Sequence, residues 1–139
     1  MFKSILLAVD GSEHSKRATE MAAALAQIMR SDLWIVSAFE PIPAYLGEPL
    51  WQQALAKSMN AADQAAAEAL AMIGRIPGEI KTDVVEGPAA EAILKVAESR
   101  KPDLIVMGSR GLGRLAGLLL GSQSQKVVQH AACPVLIVR

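Results

Sequence analysis

The chain has 139 residues, 52% of them hydrophobic and 20% charged, with 14 basic residues balanced by 14 acidic ones to zero formal charge. That length fits one domain, residues 1–139, able to bury roughly two-thirds of its unfolded surface. The composition argues against disorder, and the charge balance leaves no electrostatic footprint for nucleic acid.

Membrane insertion is not expected either. The apolar opening from Ile5 to Val9 is too short for a signal-peptide core and stops at Asp10, and no run approaches the ~18 residues that span a bilayer. A single cysteine, Cys133, rules out an intrachain disulfide and suits the reducing cytoplasm. Set just before Pro134 and an apolar strand, it reads as a buried thiol rather than a nucleophile.

In chain order, Lys3 to Val9 is a continuous apolar run of the kind a doubly covered central strand shows. Asp10-Gly11-Ser12 stops it, and Ser12 can cap a helix with Glu13 in its first turn. Ala18, Met21, Ala22, Leu25, Ile28 and Met29 recur at helical spacing and predict the face that packs on the sheet. His14 on this helix is expected to face solvent. Asp32 to Glu40 reads as a second strand, ended by Pro41. Proline and glycine punctuate Glu40 to Pro49 as a mobile loop, either a lid or only a connector.

Leu50 to Ile73 is a long alanine-rich helix, marked by Leu55, Met59, Ala62, Ala66, Leu70 and Ile73. Ile80 to Glu86 alternates apolar and charged residues as an edge strand does. A helix with Ala89, Ile93, Val96 and Ala97 on one side follows Gly87-Pro88. Leu104 to Met107 is a fourth, buried strand, and Val135 to Val138 a fifth. Between them lies a helix capped by Ser122, with His130 near its C-terminal end, where the helix dipole favours a cation. Such alternation of strands and helices means an α/β fold with an open parallel sheet of five strands and helices on both faces.

The stretch from Met107 to Ser122 carries the chemistry. Gly108, Gly111 and Gly113 form a loop whose amides can point at an anion, and the helix N-terminus beyond Gly121 is a second anion-binding feature. No glycine is followed by lysine, which excludes a Walker loop. Gly111-Leu112-Gly113 is followed by Gly117 and not by a glycine at 116, and too little chain remains for a second βαβ half, so a dinucleotide fingerprint fits poorly. His14 and His130 lack partners at metal-ligand spacing.

The remaining spacing is Gly108, two residues, Gly111, nine residues, Gly121-Ser122. It resembles the nucleotide-binding signature of the universal stress protein family. The resemblance extends to Ile5–Ser12 and Ala132–Arg139, and covers the chain except its middle. It implies a Rossmann-like sheet of the adenine nucleotide alpha hydrolase type, in strand order 3-2-1-4-5. That order places the first and fourth strands side by side where the winding direction reverses, which is where open parallel sheets bind ligands.

By matching position the resemblance places Ala8, Val9, Asp10, Ala38 and Met107 at the nucleoside, and Gly108, Gly111, Gly121 and Ser122 at the phosphates. Each remaining candidate has a plainer reading beside it. Asp10 can contact the sugar, the base or a bridging cation, or merely cap the first helix or tighten a turn. Arg110 and, less strongly, Arg114 can steer phosphates or be simply solvated. Ser109 can donate its hydroxyl to a ligand or satisfy a turn, and Ser124 can reach a phosphate or face outward. Gln123 stands where many nucleotide-binding relatives have Val, which bears on the fit of the ligand.

The function implied is binding of ATP, or of AMP or ADP, with Mg²⁺ as a candidate companion, in a nucleotide-dependent conformational or partner switch of the stress response. A slow ATP hydrolase or nucleotidyl transferase, and a dimeric scaffold that no longer uses nucleotide, are the alternatives. Binding is preferred to turnover, since the loop offers no obvious general base near a γ-phosphate. The resemblance also implies a homodimer through Val135 to Val138, whose apolar edge needs covering, and an unidentified protein partner.

Overall fold

A computed structural model describes residues 1–110 and 120–139. The elements are β1 (Ser4–Val9), α1 (Glu13–Met29), β2 (Asp32–Phe39), a 3₁₀ turn (Ala44–Leu46), α2 (Leu50–Ile73), β3 (Ile80–Glu86), α3 (Ala89–Arg100), β4 (Leu104–Gly108), α4 (Ser122–His130) and β5 (Val135–Val138). The five strands form one sheet in the order β3-β2-β1-β4-β5, with every neighbouring pair parallel. This is the expected Rossmann-like α/β order, with β3 and β5 at the edges.

Alternation along the central strands divides the core into two layers, because successive side chains point to opposite faces. Ile5, Leu7, Val9, Leu33, Ile35, Leu104 and Val106 meet α1 and α2 on one face. Leu6, Ala8, Val36, Ile105 and Met107 meet residues of α3 and α4 on the other. Because both faces are covered, β1 and β4 read as unbroken apolar runs rather than alternating ones.

On two helices the expected face is kept in part, at Ala18 and Ala22 of α1 and at Ala62, Ala66 and Ile73 of α2, and is shifted away from several of the large apolar residues. On α1 the buried stripe is Ser15, Ala18, Thr19, Ala22 and Ala26, while Met21 and Ile28 are exposed. On α2 it is Ala62, Ala65, Ala66, Ala69 and Ile73, while Met59 and Leu70 are exposed. Alanine at these positions lets the helix axis lie close to the sheet, so that the bulk filling the layer comes from the strands.

The segment between β2 and α2 is pinned at its base. The Trp51 indole donates to the Ile42 carbonyl at 3.2 Å, and the Trp51 amide donates to the Gly47 carbonyl at 2.8 Å. Tyr45 and Leu50 stay exposed at its surface.

Candidate functional site

The ladder between the two central strands stops short of their C-terminal ends. β1 runs beside β2 as far as Val9 opposite Ser37, and β4 runs beside β5 as far as Gly108 opposite Val138. Yet β1 and β4 pair only up to Leu7 opposite Val106. Beyond that pair the two central strands share no further ladder pair, at the topological switch point where open parallel sheets place a ligand crevice.

On the β1 lip, Asp10-Gly11-Ser12 turns the chain into α1. The Asp10 Oδ1 accepts from the Ser12 amide at 2.9 Å, and the Asp10 amide donates to the Ser15 hydroxyl at 3.0 Å. Gly11 has a φ of 83°, which a side chain would strain. Ser12 is the N-cap, its hydroxyl accepting from the Ser15 amide at 3.2 Å. Asp10 thus serves the turn, as the plainer reading of it held, with one of its two carboxylate oxygens. It remains half-buried at the crevice.

On the β4 lip, Gly108 is glycine for the sake of α1. A Cβ there would lie 2.8 Å from the His14 Cβ and 2.9 Å from the His14 main-chain carbon, so the first turn of α1 rests directly on the end of β4. His14, expected at the solvent, is half-buried and hydrogen-bonds through Nδ1 to the Ser109 hydroxyl at 2.6 Å. Ser109 is buried and tied through its main chain as well. Its amide donates to the Val138 carbonyl at 2.8 Å, and its carbonyl accepts from the Gly121 amide at 2.8 Å.

Gly121, not Ser122, is the N-cap of α4, and Ser122 is the first helical residue and exposed. Space is tight at this cap: a Cβ on Gly121 would sit 3.1 Å from the Ser109 carbonyl oxygen and 3.3 Å from the Arg110 Cα. The first intrahelical bond runs from the Gln125 amide to the Gly121 carbonyl, so the amides of Ser122, Gln123 and Ser124 have no acceptor in their own helix. Such amides, aligned with the positive end of the helix dipole, form an anion-binding surface.

Two side chains of α4 have other tasks. Ser124 is buried, and its hydroxyl donates to the Gly108 carbonyl at 2.8 Å, fastening the helix to the end of β4. The Gln123 side-chain oxygen accepts from the Ala90 amide at 2.8 Å. Ala90 lies in the first turn of α3, whose N-cap position is occupied by Pro88 without a side-chain cap. Gln123 therefore supplies from α4 the acceptor that α3 lacks in its own sequence.

Ala8 and Met107 are buried on the α3 and α4 face of the sheet, Val9 is buried on the opposite face, and Ala38 is half-buried near the end of β2. The structure thus brings Ala8, Val9, Asp10, Ala38, Met107, Gly108, Ser109, Arg110, Gly121, Ser122 and Ser124 to one edge of the sheet. Gly111 and Arg114 lie outside the described residues. Among the described residues there is no group of three His, Cys, Asp or Glu that could hold a metal ion.

His14 is the residue that the sequence reading missed. The only local sign of its role was a glycine at the very end of β4, since a glycine there permits a close approach without naming what approaches. Cys133, away from the crevice, is half-buried, and burial first and the Asp103 carboxylate second push its thiol pKa up. A thiol so placed is a poor nucleophile.

Comparison with known proteins agrees with this architecture. The model of the universal stress protein family matches residues 1–139. A Thermus aquaticus protein, described as the universal stress protein in QAH/OAS sulfhydrylase 3′region, is 53% identical over 139 residues, with all of both chains covered. Among solved structures, the universal stress protein UspA from Lactobacillus plantarum superposes with a TM-score of 0.87 at 25% identity, covering 99% of this chain and 98% of that one. A universal stress protein solved in complex with cAMP gives 0.65 at 26% identity, covering 99% of this chain and 97% of that one. Family match, whole-length relatives and the five-stranded order together establish that this chain belongs to the universal stress protein family.

Proposed function

We propose that this protein binds an adenine nucleotide, with ATP as the physiological ligand, in the crevice between β1 and β4. The observation that carries the reading is the row of Ser122, Gln123 and Ser124 amides, without acceptors in their own helix, at the point where the ladder between the central strands stops. Phosphates lie over Gly121 and Ser122, with Arg110 beside them and Gly111 contributing from the loop, while Ser109, whose hydroxyl is bonded to His14, supports the loop from beneath. The nucleoside lies toward Ala8, Val9, Asp10, Ala38 and Met107. The Asp10 carboxylate is repelled by phosphate, so its unused oxygen suits a ribose hydroxyl or the base. A relative that covers nearly the whole chain and holds cAMP supports the adenine end of this reading.

Mg²⁺ accompanies the nucleotide in this reading. It is held chiefly by the phosphates, as this ion usually is when a site offers one carboxylate rather than a cage. The crevice suits binding better than turnover, because phosphoryl transfer needs an aligned nucleophile and a group to orient it. Occupancy then biases a conformation or a protein partner in the stress response. The protein acts in the cytoplasm, where its half-buried lone thiol stays reduced, and as a homodimer that covers the outer edge of β5.

Calorimetric titration with ATP and Mg²⁺ tests the reading. In Gly121→Val a branched side chain enters space bounded by the Ser109 carbonyl and displaces the phosphate cradle. ATP binding should vanish while the helical circular dichroism signal persists. Unchanged ATP affinity in a folded Gly121→Val protein would contradict it.

A further inference from the structure

We propose that His14 is a positioning residue for the phosphate end of the crevice: by holding the Ser109 hydroxyl it sets the turn against which Gly121 and the first amides of α4 are placed. This inference rests on the nucleotide reading above. Three observations meet at Ser109, which is 7% exposed. Its amide is fixed by β5 through Val138, its carbonyl receives the Gly121 amide, and its hydroxyl reaches across the crevice to His14 at 2.6 Å. The first two are main-chain bonds that any residue could make. The third depends on side chains, and it links α1, on the β1 lip, to the turn on the β4 lip.

The fit around this bond is tight on both sides. Gly108 leaves no room for a Cβ beneath His14, and Gly121 almost none beside the Ser109 carbonyl. A shift of Ser109 by a few tenths of an ångström therefore moves the N-cap of α4. Without the imidazole, the buried Ser109 hydroxyl lacks its partner and turns toward another carbonyl or toward water, because a buried polar group left unpaired is costly. The turn relaxes with it. The nucleoside end feels this change less, since Ala8 and Val9 are held in register by β2.

His14→Ala, Ser109→Ala and the double variant would be titrated with ATP and, separately, with adenosine. Each single variant should bind ATP about five- to ten-fold more weakly, which corresponds to about 1–1.4 kcal/mol. Adenosine affinity should change by less than about two-fold, a split between the two ligands that a merely structural role for His14 would not produce. The double variant should bind ATP no worse than the weaker single one, because the two side chains act as a unit. Should His14→Ala unfold, Ser109→Ala carries the same comparison of ATP with adenosine. Equal losses for both ligands, additive losses in the double variant, or unchanged ATP affinity would overturn the role of His14 while leaving nucleotide binding intact. A wild-type protein that binds neither ligand would overturn the nucleotide reading and this inference together.

Discussion

The two ends of the sheet treat their backbone amides in opposite ways. At the N-terminal ends of the strands, the protein's own carboxylates cover them. Asp103 Oδ2 accepts from the amides of Lys3 and Ser4, each at 2.9 Å, and Asp32 Oδ1 accepts from the Glu79 amide at 2.8 Å. On the same half of β2, the Trp34 indole donates to Asp83 at 2.8 Å, and the Arg100 guanidinium lies 4.0 Å from the centre of its ring. At the C-terminal ends the covering stops short at α4, where three first-turn amides lack an acceptor in their helix. The first arrangement is what stability asks of a sheet edge. Among the described residues the second leaves donors that, in the proposed reading, face an anion, and that difference would separate a structural edge from a binding edge within one sheet.

Glycine substitutions break this comparison most sharply, because each edge has a glycine where no Cβ fits. A Cβ on Gly78 would lie 2.2 Å from the Ser31 carbonyl oxygen, so Gly78→Ala should cost about 3 kcal/mol in urea denaturation and leave ATP affinity alone. Gly108→Ala, blocked by the main chain of His14, should cost about 2 kcal/mol and weaken ATP binding as well. Equal effects of the two on ATP affinity would dissolve the distinction between the edges.

Single hydrogen-bond deletions sharpen it further. Asp103→Ala removes the shared acceptor of two amides at the structural edge, and should cost about 1 kcal/mol with ATP affinity unchanged. Gln123→Val leaves the Ala90 amide without its cap and should cost about 0.5–1 kcal/mol, read as a lower midpoint of thermal unfolding. A Val variant as stable as the wild type would show that water serves Ala90 equally well.

The smallest effect concerns Cys133. Its pKa is raised in the folded protein by burial and, after that, by Asp103. The unfolded chain therefore releases the thiol proton first as pH rises above about 8.5. Stability from this group is complete below that pH and is lost as pH climbs through the folded value. Reaction with a disulfide reagent at pH 8 should be slow in the folded state and faster in Asp103→Ala. Equal rates would remove Asp103 as a cause.

Much of this was legible in the sequence, for physical reasons. Unbroken apolar runs at β1 and β4 disclose strands buried on both faces, and Asp10-Gly11-Ser12 discloses a turn and a cap. The helix faces were misread at Met21, Ile28, Met59 and Leu70 because periodicity gives weight to large side chains, whereas close packing on the sheet selected alanine. Placing the cap at Ser122 followed the usual preference for a hydroxyl. Gly121 holds the position in a tight fit against the Ser109 carbonyl and the Arg110 main chain. The partners of Gln123 and His14 lie 33 and 95 residues away in the chain, and local patterns carry no record of such pairings.

The central claim is that the C-terminal edge beside α4 is left open for nucleotide while the opposite edge is closed by the protein itself. Amide NMR spectra recorded during titration with ATP and Mg²⁺ test it most directly. The account predicts that Asp10, Ser109 and the amides of Ser122, Gln123 and Ser124 shift together and saturably, while Lys3, Ser4 and Glu79 stay in place. Shifts centred on Lys3, Ser4 and Glu79, or spectra that ATP leaves unchanged throughout, would contradict it.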